Sequence, residues 1–161
     1  MLFFYLDFEG YQYCTAAAEN NFIVKEISIL SSNGQHCFTY LVKSPAASDR
    51  RQFIPHNATF EYQYRRHNIR WDDGDFTFAH AMSDIVAKVA AYAVYVKGPE
   101  KQRFSQKYLP YVMELGMLLP SIKKLNNCAT ECCQYNHGNY CARRKVHELK
   151  YYVDSQEIIL N

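Results

Sequence analysis

The sequence predicts an α/β fold in which helices flank a mixed central sheet. Three strand-like segments joined by hairpins come first, and helical and strand segments alternate after them. The chain has 161 residues, which is the size of one domain and enough to bury a core without disulfide bonds. We therefore expect a single domain over residues 1–161.

The first third of the chain contains the three predicted strands. Residues 2–9 form an aromatic and apolar run that ends in two carboxylates and is closed by Gly10, a pattern typical of a buried strand. Residues 22–30 are rich in β-branched side chains, and residues 36–43 supply the return strand. An Asn-Gly pair at 33–34 predicts the hairpin turn between these two strands.

The later segments alternate between helix and strand. Apolar residues at helical spacing predict an amphipathic helix over 76–91, followed by a short buried strand over 93–96. A proline stands just before the helix predicted over 100–108. Residues 111–119 fit either a strand or a helix, and residues 141–153 predict a final helix.

Composition excludes some classes of function. Hydrophobic residues make up 48% and charged residues 21%, and the net charge is only +2, which alone does not indicate a polyanion partner. The sequence shows neither a secretory signal nor an apolar run near the roughly 18 residues of a membrane span. We expect an intracellular protein of the cytoplasm or nucleus with no membrane partner. The 14 Tyr could serve as core, as protein interface or as base-stacking surface.

Two carboxylates end the first predicted strand. Asp7 and Glu9 are two residues apart, so in a strand their side chains share one face. Carboxylates this close repel each other unless a cation or a proton lies between them. Two-metal nucleases use such acids to gather Mg²⁺ or Mn²⁺. The other interpretation is a pair of solvated acids at a strand end.

A cluster of cysteine and histidine lies near the C-terminus. Residues 128–141 read CATECCQYNHGNYC. Cys133, His137 and Cys141 are each separated by three residues, and zinc takes four such ligands in a tetrahedron. Cys132 and Cys128 are alternate ligands. The other interpretation is a set of buried free thiols beside a surface histidine.

These motifs together carry a resemblance to a known family. With Asp-Phe-Glu-Gly at 7–10, Val-Lys-Glu-Ile at 24–27 and the Cys-His-Cys cluster, the chain resembles the ribonuclease H-like superfamily of DEDDh 3′→5′ exonucleases over residues 2–153. It is most similar to two groups. One is the exonuclease domain of arenavirus nucleoproteins, which has a Glu-Cys-His-Cys zinc site. The other is the Maelstrom domain, in which that site is kept and the catalytic acids are lost.

The resemblance implies a structural zinc and its ligands. Glu26 matches the glutamate that supplies the first ligand, and Cys133, His137 and Cys141 match the other three. The family places two residues between its first cysteine and its histidine, whereas three residues separate Cys133 from His137 here. Cys132 therefore stays an alternate ligand.

The resemblance implies an incomplete catalytic centre. Asp7 and Glu9 match the first acidic motif, but only Glu100 could stand for the second acid. The positions of the catalytic histidine and of the last acid hold Tyr140 and Lys145. A lysine at an acid position competes with the metal, and loss of the histidine removes the general base.

A second alignment takes His137 as the catalytic histidine, and it places Ala142 where the last acid should be. Neither alignment restores that acid. Asp7, Glu9 and Glu100 would then be vestigial or weakly catalytic, and standard DEDDh exonuclease activity is not expected.

The leading hypothesis is a zinc-stabilised domain that binds single-stranded nucleic acid, with RNA favoured over DNA and at most weak ribonuclease activity. Arg143, Arg144 and Lys145 would contact phosphates, which makes binding sensitive to salt. One alternative is an active Mg²⁺- or Mn²⁺-dependent nuclease in which Glu100 and Glu148 replace the missing acids. The other is a non-catalytic scaffold that binds a protein partner through aromatic residues.

Overall fold

A computed structural model of the chain describes residues 1–15, 18–44, 64–119 and 141–156. The strands are β1 (Phe4–Thr15), β2 (Ala18–Ser31), β3 (Cys37–Leu41), β4 (Val94–Val96) and β5 (Val112–Glu114). The helices are α1 (Phe78–Val89), α2 (Pro99–Ser105), α3 (Leu115–Leu118) and α4 (Ala142–Ser155), and residues 64–67 are also helical.

The strands form one mixed sheet in the order β3-β2-β1-β4-β5. The first three strands are antiparallel, whereas β4 lies parallel to β1 and β5 lies parallel to β4. Gly34 has a φ of 75° and donates its N–H to the Ser31 carbonyl at 2.8 Å, so the predicted hairpin turn joins β2 to β3. The mixed sheet with flanking helices confirms the predicted α/β architecture.

The predicted end of the first strand is wrong. Gly10 does not close β1, which continues to Thr15. The register with β2 shifts between Glu9 and Gly10, and Lys25 is the extra residue of the resulting bulge. At this point the strands approach so closely that a Cβ on Gly10 would lie 1.9 Å from the Ile23 carbonyl oxygen. The glycine therefore carries the strand through the bulge.

The segment over residues 111–119 contains both a strand and a helix, because β5 passes directly into α3. The buried carboxylate of Glu114 makes this transition possible. It accepts hydrogen bonds from the N–H groups of Gly116 at 2.7 Å and Met117 at 2.9 Å, and so caps the helix. It also accepts the N–H of Gly98 at 2.7 Å, which ties β5 to the start of α2.

The two faces of the sheet are covered by different helices. Phe4, Leu6 and Phe8 of β1 pack into the same apolar cluster as α1. Tyr5 belongs to a second cluster, formed with α4. Because successive side chains of a strand alternate between faces, Asp7 and Glu9 lie on the α4 side of the sheet. Both acids therefore face the side chains that α4 contributes to this side of the sheet.

Candidate functional site

Asp7 is neutralised by a lysine. Its side chain is only 1% exposed, and its Oδ1 forms an ion pair with the Nζ of Lys101 on α2. The same ammonium donates to the carbonyl of Phe8 at 3.0 Å and lies 5.2 Å from the centroid of the Phe8 ring. Its position is therefore fixed by three contacts with two residues. In a metal-dependent nuclease, the charge that balances such a carboxylate is a divalent cation.

The pKa values of this group reflect competition between burial and charge. Burial raises the pKa of Asp7, although the Lys101 ammonium opposes the shift. Burial raises the pKa of Glu9 to about 7, again against Lys101 and with the help of the Asp7 charge. Burial would lower the pKa of Lys101, but both carboxylates outweigh it and hold this pKa above its ordinary value. Lys101 therefore stays charged, and Glu9 changes its protonation near neutral pH.

A second set of ion pairs lies on α4. Glu148 is buried, with Oε2 at 3.0 Å from the Nζ of Lys145 and Oε1 at 3.4 Å from the Nε of Arg144. The Lys145 charge also lowers the pKa of Asp7, so this helix contributes to the electrostatics around the first acid. Burial lowers the pKa of Lys97, which follows β4, and Lys145 adds to that shift. Glu148, one of the hypothesised replacement acids, is thus paired with basic side chains.

The charges around Asp7 nearly balance. Acidic and basic side chains interact throughout this region, which we call the acid–lysine pocket: Asp7, Glu9, Glu26 and Glu148 with Arg66, Lys97, Lys101, Arg144 and Lys145. A divalent cation binding here would have to displace an ammonium that already pairs with a carboxylate. Within the described ranges, no three His, Cys, Asp or Glu side chains gather in a way that could hold a metal ion.

The oxygen atoms of Asp7 show what the pocket can accept. Its Oδ2 is buried and has no hydrogen-bond partner among the described residues, so it could accept one proton or one donor group. A two-metal centre requires several carboxylates that converge on both ions. The described residues therefore do not fit a two-metal centre.

Glu100 does not share the environment of Asp7. It is exposed in the first turn of α2, whereas the next residue, Lys101, reaches the carboxylate. Its role as a vestigial acid remains a prediction. Arg143 is half-buried in the first turn of α4, where its predicted contact with nucleic acid also stays a prediction.

Two of the four predicted zinc ligands meet at the start of α4. Glu26 is fully buried on β2, opposite Glu9, and its Oε1 accepts the N–H of Ala142, the first residue of the helix. Cys141 is buried at the N-cap, where its Sγ accepts the N–H of Arg144 at 3.4 Å. A buried carboxylate and a buried thiol are donors that zinc uses. The same contacts also cap the helix.

The other predicted ligands lie outside the described residues. They are Cys133 and His137, with Cys132 and Cys128 as the alternates. The donor set therefore fits zinc as far as the described chain extends, and the full ligand set remains a prediction.

Sequence reasoning missed Lys101, because the sequence indicates only the helical turn on which this residue lies. A Gly-Pro pair starts α2 directly after β4, so the first turn of this helix lies beside the end of β1. Either Glu100 or Lys101 could point toward Asp7 from that turn. Only the acid, Glu100, was predicted to lie there.

Comparison with known proteins supports the fold. No family model and no curated protein matches this sequence. Seventeen chains of solved structures match it. One is the nuclease domain of 3′hExo, a DEDDh family member, bound to rAMP, which is 12% identical with a TM-score of 0.57 over 99% of this chain and 94% of that one.

That similarity shows that the chain has the α/β fold of this nuclease domain, the ribonuclease H-like fold predicted from the sequence. The resemblance to the Maelstrom domain and to the arenavirus enzymes stays a prediction. Along the described segments, no helix is long and apolar enough to cross a membrane.

Proposed function

We propose that this domain binds single-stranded nucleic acid, preferably RNA, on an exonuclease-derived fold that retains at most weak nuclease activity. The ion pair between Lys101 and Asp7 carries the proposal. In this pair, the Lys101 ammonium supplies the positive charge that a nuclease would obtain from a metal ion. The solved structure of similar fold, which is bound to rAMP, supports nucleic acid as the ligand class.

The electrostatics of the acid–lysine pocket explain why binding is favoured over cleavage. Lys101 is held by three contacts with Asp7 and Phe8, so a divalent cation must compete with a fixed ammonium for Asp7. Arg66, which is exposed, and Lys97, which is partly exposed, lie on the same side and can contact a phosphodiester backbone. Such contacts hold a strand but do not activate water.

A fluorescence anisotropy titration with labelled single-stranded RNA tests this proposal. Affinity should fall steeply between about 50 and 200 mM salt because phosphate contacts release counterions. Arg143→Gln should reduce the slope of log K against log salt by about one. Lys88→Gln is the matched control, because Lys88 lies in the last turn of α1, pairs with Asp84 and is not one of the basic side chains around Asp7.

Three outcomes would change the proposal. A lack of affinity for RNA and DNA at low salt would end it and favour the protein-interaction scaffold. Stronger binding to DNA than to RNA would change the substrate class. Mn²⁺-dependent degradation that Asp7→Ala abolishes would replace it with an active nuclease.

We also propose that a structural zinc joins α4 to β2 through Glu26 and Cys141, with Cys133 and His137 as the remaining ligands. The buried carboxylate and thiol at the start of α4 support this assignment. The purified protein should contain about one zinc per chain, and Cys141→Ser should lose most of it. Comparing Cys133→Ser with Cys132→Ser would identify the ligand, and a metal-free wild type would contradict the assignment.

A further inference from the structure

An aromatic pocket lies on the α1 side of the sheet, across from Asp7 and Glu9. Its volume is about 510 Å³, which is within the range of small-molecule sites. Four aromatic rings and three polar side chains contribute to its lining, and we call it the aromatic pocket: Phe22, Phe78, Phe104, Tyr108, Lys43, Ser44 and Thr77.

The rings of the aromatic pocket support one another. Tyr108 lies 5.4 Å from Phe78, at an interplanar angle of 78°, and 5.6 Å from Phe104. Phe78 and Phe104 are 6.2 Å apart and also contact edge to face. Tyr108 is 39% exposed, so part of its ring is open to a ligand. Rings held in this way can stack on a planar partner without first becoming ordered.

The polar groups at the rim favour an anionic substituent on that partner. Lys43 and Thr77 are both exposed, and the described lining contains no acidic side chain. The Thr77 hydroxyl accepts the N–H of His80 at 3.2 Å, and a hydroxyl that accepts one bond can still donate another. The Nζ of Lys107 lies 5.6 Å from the centroid of Phe104 and adds positive charge beside the rings. A planar ring that carries phosphate suits this combination.

Two neighbouring side chains, Phe8 and Phe104, lie between the aromatic pocket and the acid–lysine pocket. Phe8, between Asp7 and Glu9, lies 4.9 Å from Phe104. Phe104 and Lys101 are one helical turn apart on α2, so the same helix contributes to both pockets. The two pockets therefore share α2, although they lie on opposite sides of the sheet.

We infer that the aromatic pocket binds one base of the single strand by stacking, with a flanking phosphate near Lys43. This inference rests on the proposed function and adds a second contact point on the opposite side of the sheet. Stacking on aromatic rings accepts any base. We therefore expect the pocket to strengthen binding without strong sequence preference.

Anisotropy titrations of variants with single-stranded RNA test the inference. Tyr108→Ala should weaken binding about tenfold, whereas Tyr108→Phe keeps the ring and should bind like the wild type. Tyr111→Ala is the matched control, because Tyr111 is also an exposed tyrosine, at 62%. Its carbonyl accepts the N–H of Val94, which places it at the end of the sheet that is remote from Asp7. Lys43→Gln should lower the salt slope by about one.

A second readout does not depend on the variants folding. An RNA that carries 2-aminopurine should lose fluorescence when the wild-type protein binds it, because the stacked base is quenched. Equal affinities for wild type and Tyr108→Ala, or wild-type binding without quenching, would overturn the inference and leave the proposed function intact. A wild-type protein without affinity for any oligonucleotide would overturn both.

Discussion

Replacing Lys101 with methionine should destabilise the protein in a way that depends on pH. The substitution keeps most of the side-chain volume but leaves the Asp7 carboxylate, which is 1% exposed, without its ammonium partner. Removing one partner of a buried pair costs about 3–5 kcal/mol. Because the Lys101 side chain is 26% exposed, the pair is partly screened by water. We expect a loss of about 2–3 kcal/mol in the free energy of unfolding at pH 8.

The pH dependence follows from the protonation of Asp7. Burial already raises its pKa, and loss of the ammonium that opposes this shift raises it further. An acid whose pKa is higher in the folded than in the unfolded chain holds more protons when folded, so stability falls as pH rises between the two values. As the pH falls from 8 to 5, more of the carboxyl is protonated, so the cost of Lys101→Met should be smaller at pH 5 than at pH 8.

Urea denaturation at pH 5 and pH 8 measures both values. Adding Asp7→Asn to Lys101→Met should recover most of the loss at pH 8, because the buried Asp7 carboxylate is then no longer left without its partner. Lys150→Met is the matched control, since its partner Asp154 is 56% exposed and such surface pairs contribute about 0.5 kcal/mol. A cost of Lys101→Met that is equal at both pH values, or that persists in the double variant, would refute the reasoning.

Three other substitutions test neighbouring features. Burial lowers the pKa of Lys25 to about 8, so the folded chain holds fewer protons than the unfolded one and stability should rise from pH 8 to about 10. Lys25→Met should flatten this rise in thermal melts. The same rise in Tm with pH for the variant and the wild type would contradict the prediction. The pKa of Glu9 is about 7, so this carboxylate loses its negative charge as the pH falls from 8 to 6. RNA affinity should therefore increase over this range in the wild type but not in Glu9→Gln. An unchanged pH dependence in that variant would exclude Glu9 as the cause. Gly10→Ala would place a Cβ 1.9 Å from the Ile23 carbonyl oxygen. It should lower the free energy of unfolding by about 2 kcal/mol, which corresponds to a fall of roughly 5 °C in Tm. An unchanged Tm would show that the bulge can relax.

The features that the sequence predicted well are local ones. The Asn-Gly turn at 33–34 and the apolar spacing of α1 each depend on residues close in the chain, and both elements are present. The common face of Asp7 and Glu9 follows from the two-residue period of a strand. The extension of β1 beyond Gly10 was missed because it depends on the approach of β2, which is a tertiary contact.

The lysine at the candidate site could not be assigned from the sequence. Whether Glu100 or Lys101 faces Asp7 depends on how α2 is rotated, and that rotation is set by packing of Phe104 against Phe8. Spacing gives only the turn on which both residues lie. Glu26 and Ala142 are 116 residues apart, and their hydrogen bond likewise depends on the way α4 packs against the sheet.

Binding of Mn²⁺ to the wild-type protein tests the central claim most directly. Calorimetric titration, with a parallel assay of single-stranded RNA cleavage, should show no micromolar Mn²⁺ site that depends on Asp7, and the RNA should remain largely intact because Lys101 already holds that carboxylate. Two Mn²⁺ ions bound at micromolar affinity, together with cleavage that Asp7→Ala abolishes, would contradict the claim that an ammonium has taken the place of the metal.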